Sequence, residues 1–148
     1  MVFLKDGTWH DQWAHNDEDS GEFERDGRAF RNDKAVGPLI SMLDEMEERL
    51  EQADWLVGNR LTEADIRLWT TLIRFDPVYH THFKCSVRRI ADYPNLAAFT
   101  RRLYGRDGIA DTVNFRHIRH HYYESHERIN PHGIVPKGPQ PLIPESQS

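Results

Sequence analysis

The sequence predicts an all-α domain, a helical bundle with an extended aromatic N-terminal arm and a Pro-rich C-terminal tail, on three observations. Apolar residues recur at intervals of three and four in separate segments. One of those segments opens with a strong helix-start signal, Thr62-Glu63-Ala64-Asp65. Prolines gather after Asn130, where they forbid a long helix or a central strand. The expected divisions are an arm over residues 1–32, a helical domain over 33–129 and a tail over 130–148.

In the arm, Asp6-Gly7 and Asp26-Gly27 punctuate short runs carrying Phe3, Trp9, Trp13, Phe23 and Phe30. Asp-Gly is a hairpin turn signal, so a hairpin is expected around Asp6-Gly7. The stretch from Asn16 to Glu24 is acidic and offers nothing to bury, which predicts an extended arm held by its aromatics.

From Gly37 the spacing becomes helical. Pro38 suits a first helical position, and Leu39, Met42, Leu43, Met46 and Leu50 define one apolar face, with an end expected near Asp54. The opposite face, Asp44, Glu45, Glu47, Glu48, Arg49 and Glu51, reads as solvated surface. The next helix starts at Thr62, whose hydroxyl and backbone can exchange bonds with Asp65 in a capping box, with Leu61 and Ile66 at the two positions of a hydrophobic staple. Leu68, Trp69, Leu72 and Ile73 continue it until Pro77, and a helix so apolar should be central. A buried Asp65 is then read as a structural cap, since the capping bonds satisfy a carboxylate that burial would otherwise penalise.

Pro77 can open a further turn through Val78, Tyr79 and Phe83. Pro94 introduces the apolar set Leu96, Ala97, Phe99 and Leu103, closed by Gly105 and Gly108. Asn114 is the expected N-cap of a final helix with Phe115, Ile118 and Tyr122 on one face. From Pro131 to Pro144 the chain should be extended, with a disordered end.

Composition narrows the function classes. A length of 148 residues fits one domain, and 38% hydrophobic content with a mean hydropathy of -0.75 leaves a sizeable share for solvated segments. The formal charge of -5, with both signs interspersed, lacks the basic field that nucleic acid requires. No apolar run is long enough to span a bilayer, and the start turns polar too soon for a signal peptide, so a cytoplasmic protein with no membrane partner is expected. The one cysteine, Cys85, has no partner for an internal disulfide or a Cys-x-x-Cys motif.

The run Leu56-Val57-Gly58-Asn59-Arg60-Leu61-Thr62-Glu63-Ala64-Asp65-Ile66-Arg67-Leu68 resembles the capped central helix of the glutathione transferase C-terminal domain. More specific runs are Arg74-Phe75-Asp76-Pro77-Val78-Tyr79-His80-Thr81-His82-Phe83-Lys84-Cys85, Ile90-Ala91-Asp92-Tyr93-Pro94-Asn95-Leu96, Asn114-Phe115-Arg116-His117-Ile118 and His121-Tyr122-Tyr123. Together with Ser125-His126 and Ile129-Asn130-Pro131-His132-Gly133-Ile134-Val135-Pro136-Lys137-Gly138-Pro139, they resemble the glutathionyl-hydroquinone reductases, or Xi-class glutathione transferases. The resemblance covers about residues 37 to 139. In addition, Gly21-Glu22-Phe23 with Arg25, Phe30 and Arg31 is similar to the segment that precedes the thioredoxin-like domain of that family.

The resemblance implies a partial glutathione transferase C-terminal helical bundle and a lineage of glutathione-dependent thiol transfer on quinone conjugates. It also implies a departure. In the family a thioredoxin-like domain with a Cys-Pro-containing motif stands between the two matched parts, whereas here Asn32 is followed almost directly by the Asp33-Lys34-Ala35-Val36 lead into the helix. The family's nucleophile and glutathione site are then absent, no cofactor is expected on this chain alone, and glutathione is the cofactor of the family. By resemblance Tyr79 and Tyr122 match the tyrosines whose hydroxyls face the thiolate and the aromatic substrate; a phenol also fits a core edge with its hydroxyl in water, the reading kept for Tyr123. Two functions are expected from this: the substrate-side domain of such an enzyme, inactive alone, or a non-catalytic interaction module. Either would associate, as a homo-oligomer or with a full-length relative, because removing a domain bares the face that it covered.

Other constellations have plainer readings. His117 and His121 stand four apart with His120 and His126 nearby, yet no His-Glu-x-x-His pattern accompanies them, and no metal site is expected. His80 and His82 fall on different sides of a helix. Cys85, although Lys84, Arg88 and Arg89 are close in sequence, is expected to be buried or inert, and Arg101, Arg102 and Arg106 are expected to form a solvated helix face.

Overall fold

Carboxylates that accept backbone N–H groups fasten helices to the segments beside them. The computed structural model describes residues 33–143, with side chains from Val36 onward, and the backbone of two short strands, β1 (Val2–Phe3) and β2 (Trp9–His10). The strands pair antiparallel, Val2 opposite His10 and Phe3 opposite Trp9, which brackets the Asp6-Gly7 turn signal as expected. The rest of the arm to Asn32, for which an extended course is expected, and the last residues of the tail, 144–148, lie outside the described residues.

Helix α1 spans Asp33–Gln52. It starts before Pro38, which sits inside the helix and not at its first position as expected. The missing proline N–H removes only the bond that would return to the Lys34 carbonyl, and burial of Val36, Leu39, Leu43 and Leu50 along one face sustains the helix through it.

The acidic face of α1 is also used more than expected. Glu47 accepts the N–H groups of Asn95 and Leu96, both at 2.8 Å, and so caps the next long helix from outside. Asp44 accepts the Tyr93 hydroxyl at 3.0 Å and Arg88 at 3.3 Å, and the Arg88 guanidinium lies 4.2 Å from the Tyr93 ring centre.

Helix α2, Glu63–Arg74, is central: Trp69, Leu72 and Ile73 are buried in the core. Asp65 Oδ2 accepts the Thr62 N–H at 2.8 Å and the Thr62 hydroxyl at 2.7 Å. Its Oδ1 accepts the Leu56 N–H at 2.8 Å, which ties the preceding loop to the helix start. In that loop Gly58 adopts a φ of +67°, a backbone conformation that side chains disfavour. The Trp69 indole donates to the Thr100 carbonyl at 3.1 Å and joins α2 to α4, Pro94–Tyr104, which also packs on α1.

Pro77 does not end the second helix, contrary to expectation. The chain passes from Arg74 into a π-helical turn, Phe75–Tyr79, and on into a short α3, His80–His82. A proline cannot bond back to the carbonyl four residues earlier; a widened turn absorbs that defect without breaking the axis. Within the turn Asp76, almost fully buried, accepts the Ile90 N–H at 2.7 Å and the Ala91 N–H at 3.1 Å, fixing the 3-10 turn Ile90–Asp92 that leads to α4.

Asn114 caps α5, Phe115–Ser125, by accepting the His117 N–H at 2.9 Å, and α5 packs on the π turn. The segment after α5 has no regular structure but is fastened: Asn130 donates to the Tyr123 and Ile134 carbonyls at 2.7 and 3.0 Å, and Arg119 donates to the Pro139 carbonyl at 3.1 Å. Among the described residues no helix is long and apolar enough to cross a membrane.

Candidate functional site

The π turn sets the site. Its extra residue rotates α3 relative to α2 by about one position of a helical wheel, about 100°. Tyr79, the last residue of the turn, is held edge-on between Phe75 and Phe83, with ring centres 6.0 and 5.4 Å away. Tyr122 comes from α5, which the Asn114 cap starts in register and which packs on the same turn. The two tyrosine rings meet edge to face, 6.0 Å between centres, and Tyr122 also packs edge-on against Phe83 at 6.0 Å. Tyr79 and Tyr122 are both partly exposed, so the pair forms an aromatic corner at the edge of the core.

Burial, reinforced by the neighbouring Tyr122 hydroxyl, raises the Tyr79 pKa above the ordinary phenol value, and the Arg74 guanidinium opposes that rise in part. The Tyr79 phenol therefore keeps its proton. Tyr123, by contrast, is buried, and its hydroxyl points to the Pro77 carbonyl at 3.5 Å, a contact that braces α5 on the π turn.

His82 and His126 extend the corner. His82 is 2% exposed, and its Nε2 lies 3.0 Å from Nδ1 of His126. Phe83, Tyr122 and Tyr123 surround the pair, with His82 ring-centre distances of 4.8, 6.5 and 4.7 Å respectively. No local pattern signals this pairing, because the partners belong to α3 and to the residue after α5. His120 instead pairs with Glu124 at 2.7 Å, and His117 and His121 are exposed. Among the described residues no group of three or more His, Cys, Asp or Glu is placed to hold a metal ion.

Cys85 is completely buried, and burial pushes its thiol up to about 12. A left-handed Lys84 (φ 58°) turns the chain so that the Cys85 N–H donates to the Tyr79 carbonyl at 3.2 Å. The cysteine thus anchors the back of the corner, where a sulfur with its proton retained is no nucleophile. Arg102 bonds Asp54 at 2.7 Å and lies 4.9 Å from the Trp55 ring centre, while Arg101 and Arg106 are exposed.

The helical fold with its capped central helix agrees with a known family. The model of the family "Glutathione S-transferase, C-terminal domain" matches residues 17–102, and the chain belongs to that family. Similar curated relatives include two glutathionyl-hydroquinone reductases: PcpF of Sphingobium chlorophenolicum is 57% identical over 111 residues, and YqjG of Escherichia coli K12 is 59% identical over 107. These matches take in 74% and 72% of this chain but only 36% and 33% of those proteins. Among solved structures, the glutathione transferase Xi of Phanerochaete chrysosporium superposes with a TM-score of 0.73 at 54% identity, covering 78% of this chain and 38% of that one. The glutathione-bound structure of Escherichia coli YqjG superposes with a TM-score of 0.72 at 58% identity, covering 74% and 36%.

Proposed function

We propose that this chain is the helical, substrate-side domain of a glutathione-dependent thiol transferase or reductase of the glutathionyl-hydroquinone reductase type. The observation that carries the reading is the convergence of Tyr79 and Tyr122, two partly exposed phenols from separate elements with rings 6.0 Å apart. In such a reaction a cysteine thiolate attacks the glutathione sulfur of the conjugate. An enzyme–glutathione disulfide forms, the aromatic carbon leaves with the bonding electrons and takes up a proton, and a second glutathione resolves the disulfide. The corner suits that chemistry, since a phenol that keeps its proton can donate a hydrogen bond to a thiolate and stabilise it.

The thiolate and the glutathione site belong to a thioredoxin-like domain supplied by a partner. Cys85, buried with its thiol pushed up to about 12, does not replace it. The chain alone is inactive, binds no cofactor, and associates with itself or with a full-length relative. Thiol exchange with glutathione fits a reducing compartment, the cytoplasm.

The test is turnover of a glutathionyl-hydroquinone by the purified chain, alone and mixed with a relative's thioredoxin-like domain as a separate chain. The expected result is a rate equal to that of free glutathione for the chain alone and a higher rate for the mixture than for the added domain by itself. Turnover by the chain alone that Cys85→Ser abolishes would overturn the proposal. An added domain whose rate is unchanged by this chain would favour the interaction module.

A further inference from the structure

The His82–His126 pair lies outside the roles assigned to the two tyrosines. A neutral imidazole has one N–H donor and one acceptor nitrogen, so two imidazoles can share a hydrogen bond only while at least one is neutral. At 3.0 Å between Nε2 of His82 and Nδ1 of His126, one nitrogen must be the acceptor. With a proton on every ring nitrogen the same contact sets two N–H groups and two positive charges against each other, in a setting where His82 is 2% exposed.

The groups facing the pair make matters worse for charge. Lys84, just after α3, donates to the His82 carbonyl at 3.0 Å and raises the local positive potential. His121, from α5, has its ring centre 6.4 Å from that of His126. Phe83, Tyr122 and Tyr123 supply the remaining rings around the pair, and Asp76 on the π turn interacts with His80 at the start of α3.

The pair also sits at a junction. The His126 carbonyl accepts the N–H groups of Ile129 and Asn130 at 3.0 and 2.9 Å, and the Asn130 carbonyl accepts that of Gly133 at 3.0 Å. His126 is therefore the first anchor of the segment after α5, and its ring also packs edge-on to Tyr122 at 5.6 Å. We propose that the His82–His126 hydrogen bond is a proton-operated fastener: while one ring is neutral it pins the start of the segment after α5 to α3 and holds Tyr122, and protonation of both rings releases that start.

The direction with pH comes from the burial. Burial, with His126 and Lys84 adding to it, pushes His82 down to about 4, and burial with His121 also lowers His126. An unfolded imidazole takes up its proton near 6.5, so the unfolded chain binds more protons between the two values. The stability contribution is full above about 6.5 and is lost as pH falls toward about 4.

The experiment tracks the imidazole and backbone NMR signals of the full chain against pH, together with the melting temperatures of wild type and His82→Phe. His82 is expected to titrate well below the ordinary histidine range, with the amide signals of Ile129, Asn130 and Gly133 moving along the same curve. The wild-type melting temperature is expected to fall at least about 5 °C further than that of His82→Phe between neutral and mildly acid pH. If His82→Phe does not fold, His126→Gln replaces it, since a carboxamide can donate to His82 without taking a second proton. An ordinary His82 titration, parallel melting curves, or tail amides indifferent to the histidine titration would overturn the proposal.

Discussion

The frame of α1, α2 and α4 and the aromatic corner of Tyr79, Tyr122, His82 and His126 use polar groups in opposite ways. In the frame each inward carboxylate is committed: Asp65 to Leu56 and Thr62, Asp76 to Ile90 and Ala91, Glu47 to Asn95 and Leu96. Those acceptors hold backbone and are not at liberty for chemistry. In the corner, rings make the packing, and Tyr79 and Tyr122 are partly exposed. Losing a frame carboxylate should therefore destabilise the domain, whereas losing a corner hydroxyl should leave the fold and alter what can be bound or protonated there.

The largest contrast concerns Cys85. With its thiol buried and pushed up to about 12, labelling by a thiol reagent near pH 8 should be about a thousandfold slower in the native chain than in the unfolded one. Equal rates would make Cys85 an accessible thiol and a candidate nucleophile.

Asp65→Ala comes next, because it strands the Leu56 and Thr62 N–H groups beside a buried position. A loss of about 3 kcal/mol in urea unfolding is expected. Thr62→Ala should cost about 1 kcal/mol, and the double variant should fall short of the sum because both residues act in one box. Full additivity would mean that Asp65 and Thr62 stabilise the helix start independently.

Glu47→Ala should cost about 1.5 kcal/mol, less than Asp65→Ala because Glu47 is only half-buried whereas Asp65 is fully buried. A change indistinguishable from that of the exposed Glu48→Ala would return the acidic face of α1 to plain solvated surface. The smallest stability effects, about 0.5 kcal/mol or less, are expected for Tyr79→Phe and Tyr122→Phe, which keep every ring contact and delete only a hydroxyl.

These differences also mark what is legible in the sequence. Local signals survive into the structure: Asn114 caps α5, Pro94 opens α4, and the Thr62 and Asp65 spacing puts carboxylate and N–H within reach. Two prolines show the limit of a local rule. Pro38 sits in a helix that packing sustains, and Pro77 sits in a π turn that no spacing announces. Glu47 reads as surface and Asp65 as a local cap, and Asp76 carries no local signal, because their partners are far along the chain or in a loop. For the same reason no spacing rule pairs His82 with His126. Tyr79 and Tyr122 stand out only through family resemblance, since a lone tyrosine on a helix has no pattern that separates donor from filler.

The most direct test is the catalytic rate of this chain combined with a separately supplied thioredoxin-like domain, compared among wild type, Tyr79→Phe, Tyr122→Phe and Tyr123→Phe. The first two substitutions are expected to lower the rate on a glutathionyl-hydroquinone by about a hundredfold while the melting temperature holds, the scale of losing one positioned donor, and Tyr123→Phe is expected to affect stability more than rate. Rates unchanged by Tyr79→Phe and Tyr122→Phe in a combination that turns over would contradict a catalytic role for the two phenols and would leave the aromatic corner a packing feature.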